Sequence, residues 1–278
     1  MQKTKNIKKL LSVFGMSILA LVLTSCGEDT ELNRLERIME DGQIIMATSP
    51  DFAPFIFMDY RLSGQEAIVG ADASLGRFIA NELGVELYIQ SMDFAASLAA
   101  VTTGLADITI GGMSFTEERS QAMMLSTSYR TEGDGFQGLL TMADVSSNFN
   151  TAEDFSGFLV GAQNGTLQQT YVQSQLPDAQ IQLFPSVTDG ILALLAGSID
   201  ALAMSGDVAL MYVLNYPELD LVNFTFEETQ AGHVLGMPNG SYELFERIEE
   251  IIALVIQNNL YEQWLFEAEE LATYLALN

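Results

Sequence analysis

Residues 107–119, DITIGGMSFTEER, are the stretch from which the rest of the chain is read. Ile108-Thr109-Ile110 is a short β-type run, broken by Gly111 and Gly112. Ser114 and Thr116 then offer hydroxyls as N-cap candidates, and Glu117 to Arg119 open a helix. Where a strand ends and a helix begins within a few residues, backbone N–H groups, a hydroxyl and a guanidinium meet at one corner. A carboxylate suits such a corner, because N–H groups and a helix dipole attract an anion and Arg119 can hold both its oxygens. The same letters also describe a plain Gly-Gly turn with a cap and a surface arginine. The flanking sequence has to choose.

Upstream, Gly104 closes a helix expected over 91–103, and a strand is expected over 85–89. Leu75, Phe78, Ile79 and Leu83 mark one face of a helix that ends at Gly84. A strand over 44–47 runs into a Pro-rich loop with aromatic residues at 49–55, and apolar spacing over 32–39 gives a first helix stopped by Gly42. Downstream, strands over 139–142, 157–163, 181–184 and 199–204 alternate with helices starting near Leu167 and spanning 189–196 and 207–214. Residues 241–277 read as nearly continuous helix, with Trp264 against the core. Strand–helix alternation of this kind predicts an α/β fold with largely parallel sheets. An internal echo supports two similar halves: Gly104-Leu105-Ala106-Asp107 before one strand matches Gly197-Ser198-Ile199-Asp200 before another. Counting on from each aspartate sets Gly112 beside Ser205 and Ser114 beside Asp207, facing each other across a cleft. Asp107 and Asp200 themselves are expected to be structural, because they start strands at the far end from that cleft.

The first 25 residues read as an export signal. Lys3, Lys5, Lys8 and Lys9 precede about fourteen mostly apolar residues, too few for a membrane span of roughly 20. Leu23-Thr24-Ser25-Cys26 resembles a bacterial lipobox, which implies cleavage before Cys26 and a lipid on its thiol. Cys26 is the only cysteine, so neither an internal disulfide nor a cysteine zinc site is available. His233 is the only histidine, which removes histidine metal sites and Ser-His triads, and it is expected to be structural or solvated. Taking the four lysines of the label from eleven basic residues leaves seven, all arginine, against 37 acidic ones, a net charge of −30. Such a polyanion repels nucleic acid and anionic membrane, so neither is an expected partner.

The order of segments resembles the extracytoplasmic solute-binding proteins of ABC importers, family 3, the polar amino acid binders. The resemblance is carried by ATSPDFAPF (47–55), VTTGLADITIGGMSFTEER (101–119), FLVGAQNGT (158–166) and GMPNGSYEL (236–244). It implies a type II periplasmic-binding-protein-like fold, two α/β lobes joined by a two-strand hinge. The domains would be the signal peptide 1–25, a tether and first helix 26–40, lobe 1 at 41–136 with 231–278, and lobe 2 at 137–230. It also implies that Arg119 grips a ligand carboxylate, with Ser114 and backbone N–H groups at Thr166 and Leu167. Gly112 would offer a carbonyl to the ligand ammonium, and Phe52 would pack on the ligand side chain, although an aromatic after proline equally suits a core. The family's acid for the ammonium is replaced by Ser205, with Asp207 two residues on. Residues 125–130, LSTSYR, lack the Asp and Pro of the family's FSDPYY, and Asn239 stands where lysine is common.

What the resemblance implies is a monomeric extracytoplasmic receptor, anchored to the membrane through lipidated Cys26. It would close on an amino acid or close derivative and deliver it to an ABC permease, with no cofactor, no metal and no catalytic residue. Two rivals stay open. This fold also hosts dehydratases of prephenate-like acids, which need a general acid and cations for a dicarboxylate, whereas Arg119 is the one cleft cation legible here. The other rival is a sensor that signals to a membrane partner.

Overall fold

A computed structural model of the chain describes residues 32–130, 136–227 and 232–277. The export signal, Cys26 and most of the tether lie outside the described residues, as do 131–135 and 228–231, where the expected hinge strands fall.

The first lobe begins with α1 (Arg34–Asp41), capped by Asn33 and ended by Gly42 in the left-handed region. Then come β1 (Gln43–Thr48), β2 (Asp51–Phe52), β3 (Ile56–Met58), β4 (Ile68–Val69) and α2 (Ala71–Leu83). The lobe continues with β5 (Glu86–Ser91), α3 (Phe94–Thr102), β6 (Ile108–Thr109), α4 (Glu117–Ala122) and β7 (Met124–Leu125). The second lobe holds β8 (Gln137–Met142), β9 (Leu159–Gln163), α5 (Leu167–Gln175), β10 (Gln180–Phe184) and α6 (Val187–Leu195). It ends with β11 (Ala201–Ser205), α7 (Gly206–Asn215) and β12 (Leu219–Thr225). The chain then returns through β13 (Gly236–Met237), α8 (Tyr242–Gln257) and α9 (Leu260–Leu277).

Among the described residues, the first lobe's main sheet runs β5-β1-β6-β13-β7 and the second lobe's runs β10-β9-β11-β8-β12. In each sheet the first three strands are parallel to one another, the fourth runs antiparallel to them, and the fifth pairs antiparallel to the fourth. The chain is therefore a type II periplasmic-binding-protein-like structure of two α/β lobes. One cluster of buried side chains runs without a break from Met46, Leu75 and Ile108 in the first lobe to Leu140, Ile191 and Leu202 in the second. The lobes are in contact.

Asp107 and Asp200 do the same structural work in the two lobes. Asp107 Oδ2 accepts from Ile45 N at 2.9 Å while its own N–H donates to Ile45 O. Asp200 repeats this with Leu159, at 2.7 Å and 2.9 Å. Each aspartate thus pins the approach to the strand that follows it to the start of the neighbouring strand, away from the cleft, as the echo in the sequence predicts.

The structure also departs from the sequence reading. The 49–55 loop is the entry to a small antiparallel sheet, β2-β3-β4, which alternation did not reveal. The C-terminal helix is two helices, broken at Asn258 and at Asn259, whose φ is +51°. Trp264 does pack inward, on Phe78, with ring centroids 5.5 Å apart. No helix among the described residues is long and apolar enough to cross a membrane.

Candidate functional site

All eight residues expected to meet a ligand line one cavity between the lobes: Phe52, Gly112, Ser114 and Arg119 from the first, Thr166, Leu167, Ser205 and Asp207 from the second. The corner read first in the sequence forms one wall. Thr48 donates to Ile110 O at the end of β6, and Thr116 caps α4 by accepting from Arg119 N at 3.1 Å. Thr116, not Ser114, is the cap. The helix it opens is only six residues long, so its dipole adds little and the guanidinium carries the attraction for an anion.

That guanidinium reaches across the cleft. Arg119 Nη1 donates to Ser114 O at 2.7 Å and Nη2 to Gly165 O of the facing lobe at 3.1 Å, with the Phe94 ring 5.5 Å beneath. No acidic side chain among the described residues lies within ion-pair distance of it. Burial lowers its pKa to about 10, which still leaves it charged at neutral pH. Opposite, Thr166 caps α5 by accepting from Gln169 N and donates its hydroxyl to Gln163 O, and Leu167 and Gln168 at the start of that helix line the same cavity.

Gly112 has φ +61°, and a Cβ there would sit 2.4 Å from the Phe52 ring. Glycine is needed both for the turn and to let the ring lie over the backbone. Phe52 is half-buried, packed on Phe55 at 5.4 Å, and lines the cavity as well as the core. Beneath this wall, Asp72 is fully buried. Its Oδ2 accepts from Gly112 N at 2.7 Å, and its Oδ1 accepts from the hydroxyls of Tyr261 at 2.7 Å and Tyr129 at 3.0 Å. Burial raises its pKa to about 6, against these three donors and the nearby charge of Arg130.

The far end of the cavity holds a cation that sequence reasoning missed. Arg130 Nη2 forms an ion pair with Asp207 Oδ2 at 3.0 Å and lies 4.8 Å over the Phe55 ring. Its only sequence signal was its place in LSTSYR, already singled out as irregular. Ser205 stands at the N-cap of α7, but its side chain makes no capping bond. Beside Arg130, His233 packs edge-on to Phe55 and Tyr129, and burial lowers its pKa to about 3. It is neutral at any physiological pH. Asp51 and Gln163 complete the wall, hydrogen-bonded to each other across the cleft. Among the described residues, no group of three or more His, Cys, Asp or Glu side chains is placed to hold a metal ion.

Comparison with known proteins gives these features a context. The profile of the bacterial extracellular solute-binding proteins, family 3, matches residues 44–267. A probable histidine-binding protein of Campylobacter jejuni is 27% identical over 227 residues, covering 81% of this chain and 84% of that protein. The crystal structure of AbpA, an amino acid ABC transporter substrate-binding protein from Streptococcus pneumoniae bound to L-arginine, superposes with a TM-score of 0.79. It is 32% identical, over 86% of this chain and 98% of that one. A cyclohexadienyl dehydratase of Pseudomonas aeruginosa is 24% identical over 213 residues, 76% of each chain.

Proposed function

The chain belongs to family 3 of the bacterial extracellular solute-binding proteins, and from that premise we propose that it is a lipid-anchored receptor for an α-amino acid or close derivative. Hinge closure captures the solute, and an ABC permease receives it. The observation that carries this reading is Arg119, a half-buried cation without an acidic partner among the described residues, bonded to a carbonyl of each lobe. A ligand carboxylate supplies the missing counter-charge and holds the two corners together.

The ammonium end is read at Ser205 and Asp207. Because Asp207 already meets Arg130, an incoming ammonium joins an existing ion pair, and burying it without that acid carries a large desolvation cost. Calorimetry should therefore find that α-amino acids bind at least ten-fold more tightly than the matching carboxylates without the amine. Asp207→Asn should weaken amino acid binding by about ten-fold or more, as expected for a lost charge partner in a closed cleft. Equal binding of both ligand sets, or an unchanged Asp207→Asn protein, overturns this assignment.

Arg130 removes one ground for setting the enzymatic rival aside, since the cleft has a second guanidinium after all. Its pairing with Asp207 still favours binding, because the two side chains are engaged with each other across the cleft at 3.0 Å. A prephenate-like acid included in the same ligand panel should be recovered unchanged.

The anchor rests on residues 23–26 of the sequence. Stable attachment takes two or more acyl chains. Cys26→Ser should yield protein that is soluble or uncleaved. A variant still processed and still membrane-bound like its parent removes the lipobox.

A further inference from the structure

Asp51 stands in the first lobe, but its carboxylate is built into the second. Oδ2 accepts from the backbone N–H of Val187 at 2.6 Å and from Gln163 Nε2 at 3.3 Å, while Oδ1 accepts from the Ser49 hydroxyl at 2.7 Å. Val187 is the first residue of α6. The helix's own cap, Ser186, spends its hydroxyl on Asp189 N. The Val187 N–H is thus one of the donors that a helix start leaves unsatisfied, and an acid of the opposite lobe satisfies it.

We propose that Asp51 is the positioning residue that couples ligand capture to closure, its carboxylate capping α6 of the facing lobe only when the cleft is shut. This deepens the receptor reading above and rests on it. With the lobes apart, water hydrates both the carboxylate and the N–H, and the bond contributes nothing. With the lobes together, the bond forms in a partly dry setting, where a charge-assisted hydrogen bond counts for most. An interaction present only in the closed state raises the closed population and, through it, the apparent affinity. In this geometry three of the carboxylate's roughly four acceptor sites are taken up. Burial raises the Asp51 carboxyl above its usual range, and the neighbouring Asp189 adds to that in a smaller way.

The two partners can be removed separately. Asp51→Ala deletes the acceptor. Val187→Pro deletes the N–H at the one helical position where proline is welcome, and Ser186 already has the extended backbone that a residue before proline adopts (φ −130°, ψ 156°). Its effect is measured relative to Val187→Ala, which trims the same side chain but keeps the N–H. Parent, single variants and the double variant are titrated by calorimetry with L-arginine, L-histidine and L-glutamine. Melting of the ligand-free proteins checks the fold. Each deletion should weaken the tightest of the three by roughly ten-fold or more. The double variant should be about as weak as the weaker single one, because one bond cannot be lost twice. Single variants within two-fold of their references, or losses that multiply in the double variant, overturn the latch alone. A parent that binds none of the three overturns the receptor reading and the latch with it.

Discussion

Arg119→Met is expected to lower amino acid affinity by roughly 30-fold to several thousand-fold, about 2–5 kcal/mol, while leaving the protein folded. Methionine keeps much of the side-chain length and its packing over Phe94 but removes the charge and the fork of donors. Two losses then add. The ligand carboxylate enters the closed cleft without a cation, and Ser114 O and Gly165 O lose the donor that ties the two corners. The fold should survive because Arg119 belongs to a six-residue helix with no buried residue. Calorimetry against the best ligand of the parent, beside a thermal melt of the free protein, checks both halves. An affinity within three-fold of the parent would falsify the carboxylate role.

Asp72→Asn should cost about 2–4 kcal/mol of stability at pH 7, measured by urea unfolding. The carboxylate accepts three hydrogen bonds from three separate segments, and an amide can accept only on its oxygen. At least one of the Gly112 N–H and the two tyrosine hydroxyls is left facing a donor, and each buried orphan costs about 1–3 kcal/mol. The pH dependence supplies an independent test. Burial raises the Asp72 pKa from 3.8 to about 6, so the folded chain holds this proton more tightly than the unfolded one. Its contribution to stability is complete below about pH 4 and is lost as pH rises through about 6. Between pH 7 and pH 5 the linkage amounts to about 1 kcal/mol of added stability on acidification. Other carboxylates also lose repulsion in acid, so the comparison is between proteins. The gain in Tm from pH 7 to pH 5 should be smaller in Asp72→Asn than in the parent. Equal gains would mean that the proton binds elsewhere.

Much of the architecture could be read from the letters because helices and strands imprint different apolar periods on them. Leu75 to Leu83 repeats at helical spacing, Gly84 stops it, and the helix is there. The Asp107 and Asp200 echo located two equivalent strand approaches, because a carboxylate that pins a neighbouring strand needs a fixed offset from the strand it precedes. What stayed hidden depends on contacts between segments far apart in the chain. The strands at 51–69 are only two or three residues long, too short for alternation to register. The strand Leu219–Thr225 was missed because its buried residues do not alternate cleanly. Asp72 sits in the first turn of a helix, where an acid ordinarily faces water and complements the dipole. Only the fold reveals that Gly112, Tyr129 and Tyr261 converge on it. Asp51 and Arg130 are the same kind of case. A charged residue's partner in the opposite lobe leaves no trace in its local sequence.

The arginines have a consequence for how the surface meets electrolyte. Arg34 is tied to Asp107, Arg61 to Asp59, Arg77 to the carbonyls of Gln65 and Ile68, and Arg247 to Glu250 and Glu82 O. Arg119 and Arg130 are spent in the cleft. With no lysine beyond residue 9, almost every positive charge is committed to a fixed partner, and the exterior is left to carboxylates that repel one another. A shell of that kind gathers mobile cations in place of fixed ones. At 0.1 M salt the screening length is about 10 Å, and at 0.01 M about 30 Å. In dilute solution the carboxylates of the two lobes act on each other over the whole width of a lobe, and added salt relaxes that strain on the closed form. The ionic atmosphere is in this sense a component of the fold, supplied by the medium.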